Sequence, residues 1–143
     1  STVTKMQKFL EQNAIHGIEF LYNNAYDAGS AILCGTRGWF YEEEKGGEHD
    51  KKIMLREVGR LEASLKAAPT DKKLVFLHYP PIFQKYECPE ILRLLKEHEV
   101  RLCCYGHIHG KGCAAAFNGW RGGTEYKLVS ADWVDFTPVK IIE

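Results

Sequence analysis

The sequence predicts one α/β domain, residues 1–143, built around parallel strands. Three observations lead there. The chain has 143 residues and is 45% hydrophobic, the size and apolar content of a single cored domain. Two short apolar runs, LVFL at 74–77 and VRLCCY at 100–105, have the character of strands buried on both faces. Between them CPEILRLLKEH reads as a helix, and strand, helix, strand is the order of a parallel βαβ unit.

Each element has its own reason. TKMQKFLEQNAI (4–15) spaces Met6, Phe9, Leu10 and Ile15 near a helical period, with Thr4 placed to cap its start and Gly17 to end it. IEFLYNN (18–24) reads as a short strand and SAILCGT (30–36) as an antiparallel partner. The two form a hairpin around YNNAYDAG, whose Asn, Asp and Gly supply turn chemistry. RGWFYEEEKGGEH (37–49) has no period and reads as a long loop, a kind of segment that often carries function. DKKIMLREVGRLEASLKAA (50–68) is the strongest helix. Met54, Val58, Leu61 and Leu65 share a face, Asp50 stands at the cap and Pro69 stops it. KLVFLHYPP must end as a strand at its prolines, which cannot donate to a ladder. Pro89 suits the first turn of the next helix. After a glycine-rich stretch with AAAFN, TEYKLVSADW and TPVKII both read as strands.

Lys plus Arg is 19 and Asp plus Glu is 19, so no net charge recruits nucleic acid or an anionic membrane. No apolar run reaches the length of a membrane span. The five cysteines are odd in number, and Cys103 and Cys104 would face opposite sides of a strand. Reduced thiols in a cytoplasmic protein fit better than a disulfide framework, and no Cys-X-X-Cys spacing marks a structural zinc site.

The chemistry collects at strand ends. LVFLH and RLCCYGH both finish in histidine, and parallel strands of an α/β sheet share one carboxyl edge, where ligands bind. His78, His107 and His109 are therefore expected to converge as metal ligands. The His-X-His pair alone is weak evidence, since chance supplies one in about a quarter of such sequences. The plain alternative is a turn with solvated histidines. For His16, His49 and His98 a surface position is the better reading. Arg37, in GTRGW, is a candidate for a phosphate oxygen, because guanidinium pairs well with that geometry; a plain surface role is the alternative. Trp39, Phe40 and Tyr41 either wall a substrate pocket or pack under the loop. Asp132 and Asp135 read as turn and surface residues, and Glu42 to Glu44 as a solvated acidic run.

VFLHYPP followed by CCYGHIHG resembles the C-terminal half of the calcineurin-like metallophosphoesterases. AFNG and LVSADWVDFTPVKI resemble the continuation in small bacterial members. The resemblance implies a four-layer α/β/β/α sandwich and hydrolysis of phosphoesters at a dinuclear centre of manganese, iron or zinc. It implies that His78 and His107 bind the second metal and His109 the first. The family's earlier motifs, Asp-X-His, Gly-Asp-X-X-(Asp or Asn) and Gly-Asn-His-(Asp or Glu), do not occur. The expectation is thus the C-terminal portion of a longer phosphoesterase, itself inactive or weakly active. It would either self-associate or pair with an N-terminal half. Two dications about 4 Å apart repel by on the order of 16 kcal/mol at an effective dielectric of 20, and carboxylates normally offset this. Three imidazoles without a matched carboxylate suit one ion better than two. The alternative function is a non-catalytic module that binds a single metal or a partner.

Overall fold

Leu74–Leu77 and Leu102–Tyr105 form neighbouring parallel strands, as their two-sided burial requires. In the computed structural model, which describes residues 2–40 and 47–142, they belong to a six-stranded sheet. The elements run α1 (Thr2–Gln12), β1 (Ala25–Asp27), β2 (Ile32–Thr36), α2 (Glu48–Ala67), β3 (Lys73–Leu77), β4 (Ile82–Phe83), β5 (Tyr86–Glu87), α3 (Pro89–Glu97), β6 (Leu102–Tyr105), a 3₁₀ turn (Gly110–Ala115), β7 (Gly119–Arg121) and β8 (Thr124–Leu128). The sheet order is β1-β2-β3-β6-β8-β7. Its four central strands, β2, β3, β6 and β8, are parallel, and β1 and β7 add antiparallel edges. β4 and β5 form a separate two-stranded hairpin.

The fold is mixed α/β. Helices α2 and α3 cover one face, where Met54, Leu61, Leu65, Ile91, Leu94 and Leu95 pack on Cys34, Val75, Leu77, Cys103 and Tyr105. The opposite face carries Ala31, Leu74, Leu102 and Cys104, with Leu33, Phe76, Ile141 and Ile142 against them. Helix α1 buries none of its residues, and Met6 and Phe9 stay 44% and 59% exposed. No helix among the described residues is long and apolar enough to cross a membrane.

Several expectations change. Ile18–Asn24 is not a strand. The Asn24 side chain accepts from Tyr22 N at 2.7 Å and donates to Phe20 O at 3.2 Å, so local side-chain bonds take backbone groups that a ladder would need. The hairpin partner of β2 is instead β1, inside the expected turn, with Asp27 Oδ1 accepting from Gly29 N as an Asx turn. Thr4 lies within α1 and the helix ends before Gly17. Asp50 sits in the first turn of α2, while Gly47 is the cap. TPVKII is not a strand; Ile141 and Ile142 lie on the second face as apolar cover. Tyr41 and Glu42 to Glu44 lie outside the described residues.

Gly35 fixes how closely β2 approaches β3. Its N–H donates to Ser64 Oγ of α2 at 2.8 Å, and a Cβ there would overlap the carbonyl oxygen of Phe76. Gly59, in α2, has open space where a Cβ would go. Gly35→Ala should therefore cost about 3 kcal/mol by overpacking, while Gly59→Ala should gain about 1 kcal/mol of helix propensity. Urea midpoints of the two variants check the contrast.

Candidate functional site

The parallel register decides which residues meet. Thr36 pairs with Leu77, Leu77 with Tyr105 and Tyr105 with Leu128, so one row crosses four strands. The residues just beyond that row are Arg37, His78, Gly106 and Val129. The backbone ladder continues through them: Arg37 O accepts from His78 N at 3.0 Å and Tyr79 N at 2.9 Å, His78 O from Gly106 N at 3.2 Å, and Tyr105 O from Val129 N at 2.8 Å. Arg37, His78 and His107 therefore share the carboxyl edge, the ligand edge of an open parallel sheet.

At that edge His78 Nε2 and His107 Nδ1 lie 3.1 Å apart. Tyr79 packs beside both, its ring centroid 4.7 Å from His78 and 4.6 Å from His107. Phe40 lies 6.0 Å from the His107 ring, so one of the loop aromatics does border the histidines. His78 is exposed, and partial desolvation by its neighbours together with the nearness of His107, His109 and Arg37 lowers its pKa from the ordinary value. The neutral ring, whose lone pair can bind a cation, is thereby favoured.

His107 has a φ of +70°, and Ile108 N donates across it to Gly106 O at 2.9 Å. This is the rare γ-turn form, with a non-glycine residue in left-handed backbone. Six other described non-glycine residues also have a positive φ, so the backbone by itself does not single out His107. The buried Ile108 side chain, seated in the main core, holds the turn in place.

His109 is placed differently. Its Nδ1 lies 2.8 Å from Asp132 Oδ1, and Asp132 Oδ2 accepts from Gly110 N at 2.7 Å. The Gly110 N–H and the His109 ring together hold the Asp132 pKa below the usual carboxylate value. An Nδ1–H bound to a carboxylate leaves Nε2 as the basic nitrogen, the usual second partner of a metal-binding histidine. Asp132, expected as a turn and surface residue, thus also orients the His109 ring, without lying against His78 or His107. It stands 23 positions after His109, across β7 and β8, and only the fold brings the two together.

Arg37 also has a structural partner. Its guanidinium is 3.2 Å from Oε1 of Glu57, a side chain with no exposed surface, and remains 49% exposed itself. Helical spacing could have found Glu57, which lies within the Met54–Leu61 apolar stripe of α2. Ser130, at the end of β8, is buried, and its hydroxyl has no hydrogen-bond partner among the described residues. It lies 3.9 Å from where a Cβ on Gly106 would stand. His16 and His49 are exposed and His98 is half-buried at the end of α3, away from this edge.

The residues fit a cation in part. Two ligand nitrogens bound at about 2.0–2.1 Å stand roughly 2.8–3.4 Å apart for angles of about 90–110° at the metal, a range that includes the 3.1 Å His78–His107 separation and that an ordinary hydrogen bond also fills. The unpartnered Ser130 hydroxyl, buried near Gly106 at the same edge, is a costly polar group. Among the described residues no three His, Cys, Asp or Glu side chains converge in a geometry that could hold a metal ion. Comparison with family models, curated proteins and solved structures finds no match to this chain.

Two outcomes follow from the edge geometry. His107→Gly should be more stable than His107→Ala by about 1 kcal/mol, because both lose the ring and only glycine fits left-handed backbone without penalty; chemical denaturation of the pair checks this. In the unfolded chain His78 titrates near its ordinary value of 6.5, and in the fold its pKa is lower. Between the two values the unfolded state binds more protons, so stability falls as pH drops below that point and levels off below the folded value. His78→Asn should flatten this part of the stability–pH curve, measured as urea midpoints from pH 7.5 to 5.

Proposed function

We propose that the chain supplies the histidine side of a metal-dependent phosphoesterase centre. The observation that carries the reading is the pair His78 Nε2 and His107 Nδ1, 3.1 Å apart at the carboxyl edge of parallel strands. The resemblance of VFLHYPP and CCYGHIHG to calcineurin-like metallophosphoesterases supports it. On this reading His78 and His107 hold one divalent cation, and His109, oriented by Asp132, offers Nε2 to another. Zinc and iron suit imidazole, while manganese would depend more on the carboxylates of the completed centre. A bound dication would supply electrophilic stabilisation of phosphoryl oxygens and lower the pKa of water. The chain's own residues bind and orient. Asp132 fixes the His109 tautomer, the His107 turn fixes the ring direction, and Tyr79 and Phe40 wall the edge.

The bridging carboxylates of a dinuclear centre come, on this reading, from outside these 143 residues. The partners are then a phosphoester substrate and either a second copy or a polypeptide carrying the Asp-X-His, Gly-Asp and Gly-Asn-His motifs. The exposed Met6 and Phe9 of α1 offer apolar surface for such pairing. We place the protein in the cytoplasm, because its five cysteines are free and buried rather than bridged. A second reading, a single-ion or interaction module without catalysis, is favoured by the absence of a third converging ligand among the described residues.

Calorimetry with manganese and zinc, beside turnover of p-nitrophenyl phosphate, tests both. One weak site is expected, weakening further as pH falls below about 6.5 and protons compete for imidazole, and His78→Ala or His107→Ala should abolish it. Turnover should be negligible until a polypeptide bearing the three missing motifs is added. Binding indifferent to both alanines would defeat the metal site. Binding without restored turnover would leave the module reading.

A further inference from the structure

Glu57 is 1% exposed, the most deeply buried charged residue described. It accepts from Arg37 at 3.2 Å and from Arg60 at 2.5 Å, both at Oε1, while Thr36 Oγ1 donates to Oε2 at 3.3 Å. One carboxylate therefore serves two guanidiniums, and the cluster keeps a net charge of +1. As a device for stability this is poor, since apolar side chains of similar volume often do as well as a buried ion pair. As a device for holding a half-exposed arginine at a fixed place it is effective.

That place is the ligand edge. Arg37 follows β2 directly, and its carbonyl accepts from the backbone of His78 and Tyr79. Its guanidinium carbon lies 6.0 Å from the centroids of both the Trp39 and Tyr79 rings, so aromatic faces flank the group. The Tyr79 ring in turn touches both histidines. A guanidinium carries five N–H donors in a rigid fork, of which Glu57 takes one among the described residues. Binding one arm sets the plane of the rest, and a donor ordered in advance loses less freedom when an anion arrives. Arg60 matters through charge. With Arg37 alone, Glu57 would form a neutral pair; with both arginines, the pair at the edge stays cationic.

We propose that Arg37 is an anchor for a phosphoryl anion beside the histidines, and that Glu57 is the positioning residue that holds it, with Arg60 keeping the cluster cationic. The placing of that anion rests on the phosphoesterase reading; its binding by Arg37 requires no metal.

Inorganic phosphate, titrated into the full chain with chelator present and followed at the Arg37 Nε–H by NMR, is the test. Charge alone and positioning give opposite signs for Glu57→Gln. Removing a negative charge should tighten phosphate binding, whereas losing the positioning contact should weaken it. The expected result is weakening by at least about fivefold for both Glu57→Gln and Arg37→Lys, the lysine keeping the charge without the fork. Tighter binding by Glu57→Gln, unchanged binding by Arg37→Lys, or no phosphate response at Arg37 would each overturn the proposal. If Glu57→Gln does not fold, Arg37→Lys decides alone, because Arg37 is half exposed. Metal titration of the imidazoles is independent. Phosphate binding without metal binding would keep the anchor and defeat the phosphoesterase reading; metal binding without phosphate binding would do the reverse.

Discussion

The parallel register of β2, β3, β6 and β8 is the constraint on which everything else at the edge depends. With Thr36, Leu77, Tyr105 and Leu128 in one row, the chain has no freedom over where Arg37, His78 and Gly106 emerge. A slip of one residue in any pair would turn the strand's side chains to the other face. Two-sided burial prevents that slip. Cys34, Val75 and Cys103 are sealed under α2 and α3, and Leu74, Leu102 and Cys104 occupy the opposite face. Core packing and site geometry are thus one problem. The close approach at Gly35 belongs to it, because the spacing of β2 from β3 sets the spacing of Arg37 from His78.

The same register explains what could be read from sequence. β3 and β6 were legible because they are apolar throughout, and α2 and α3 because their apolar residues repeat at helical spacing. β2 was legible as a strand but not as a parallel neighbour of β3. That pairing is set by how α2 crosses the sheet, which local pattern does not encode. β1 was masked by a competing signal: the apolar residues at 18–21 look like a strand, while the strand that forms, AYD, lies in what reads as a turn. The histidines were legible since glycine and proline punctuate them. Asp132 was not, because its contact with His109 spans two strands and a turn. Glu57 was readable by its place on the buried stripe of α2, where its spacing sets it apart from the other charged residues of that helix.

Charge is handled at this edge by pairing each carboxylate with cationic groups or donors rather than with another acid. Glu57 lies under two arginines, and Asp132 lies against His109 and the Gly110 N–H. Neither carboxylate is placed against the His78–His107 pair. The described residues therefore gather nitrogen donors and positive charge, a distribution suited to an anion and incomplete for two adjacent cations. Two dications need intervening negative charge, since their mutual repulsion at about 4 Å is roughly four times that of a unit pair. On the proposed reading, the negative charge that would complete this edge comes as substrate and as carboxylate from outside the described residues.

Backbone strain points the same way. His107 keeps a side chain in left-handed backbone, where glycine, present on its N-terminal side, would sit at less cost. A solvated turn has no need of an imidazole there, and asparagine would serve a purely conformational role as well. The ring instead lies beside Tyr79 and His78, with its Nδ1 3.1 Å from His78 Nε2. Two imidazoles this close can share one proton through a hydrogen bond or one cation through two lone pairs. The first gives a weak contact at a mostly solvated edge. On the reading proposed above, the second would make the positive-φ turn and the paired rings parts of one binding site, to which the described residues add no third ligand.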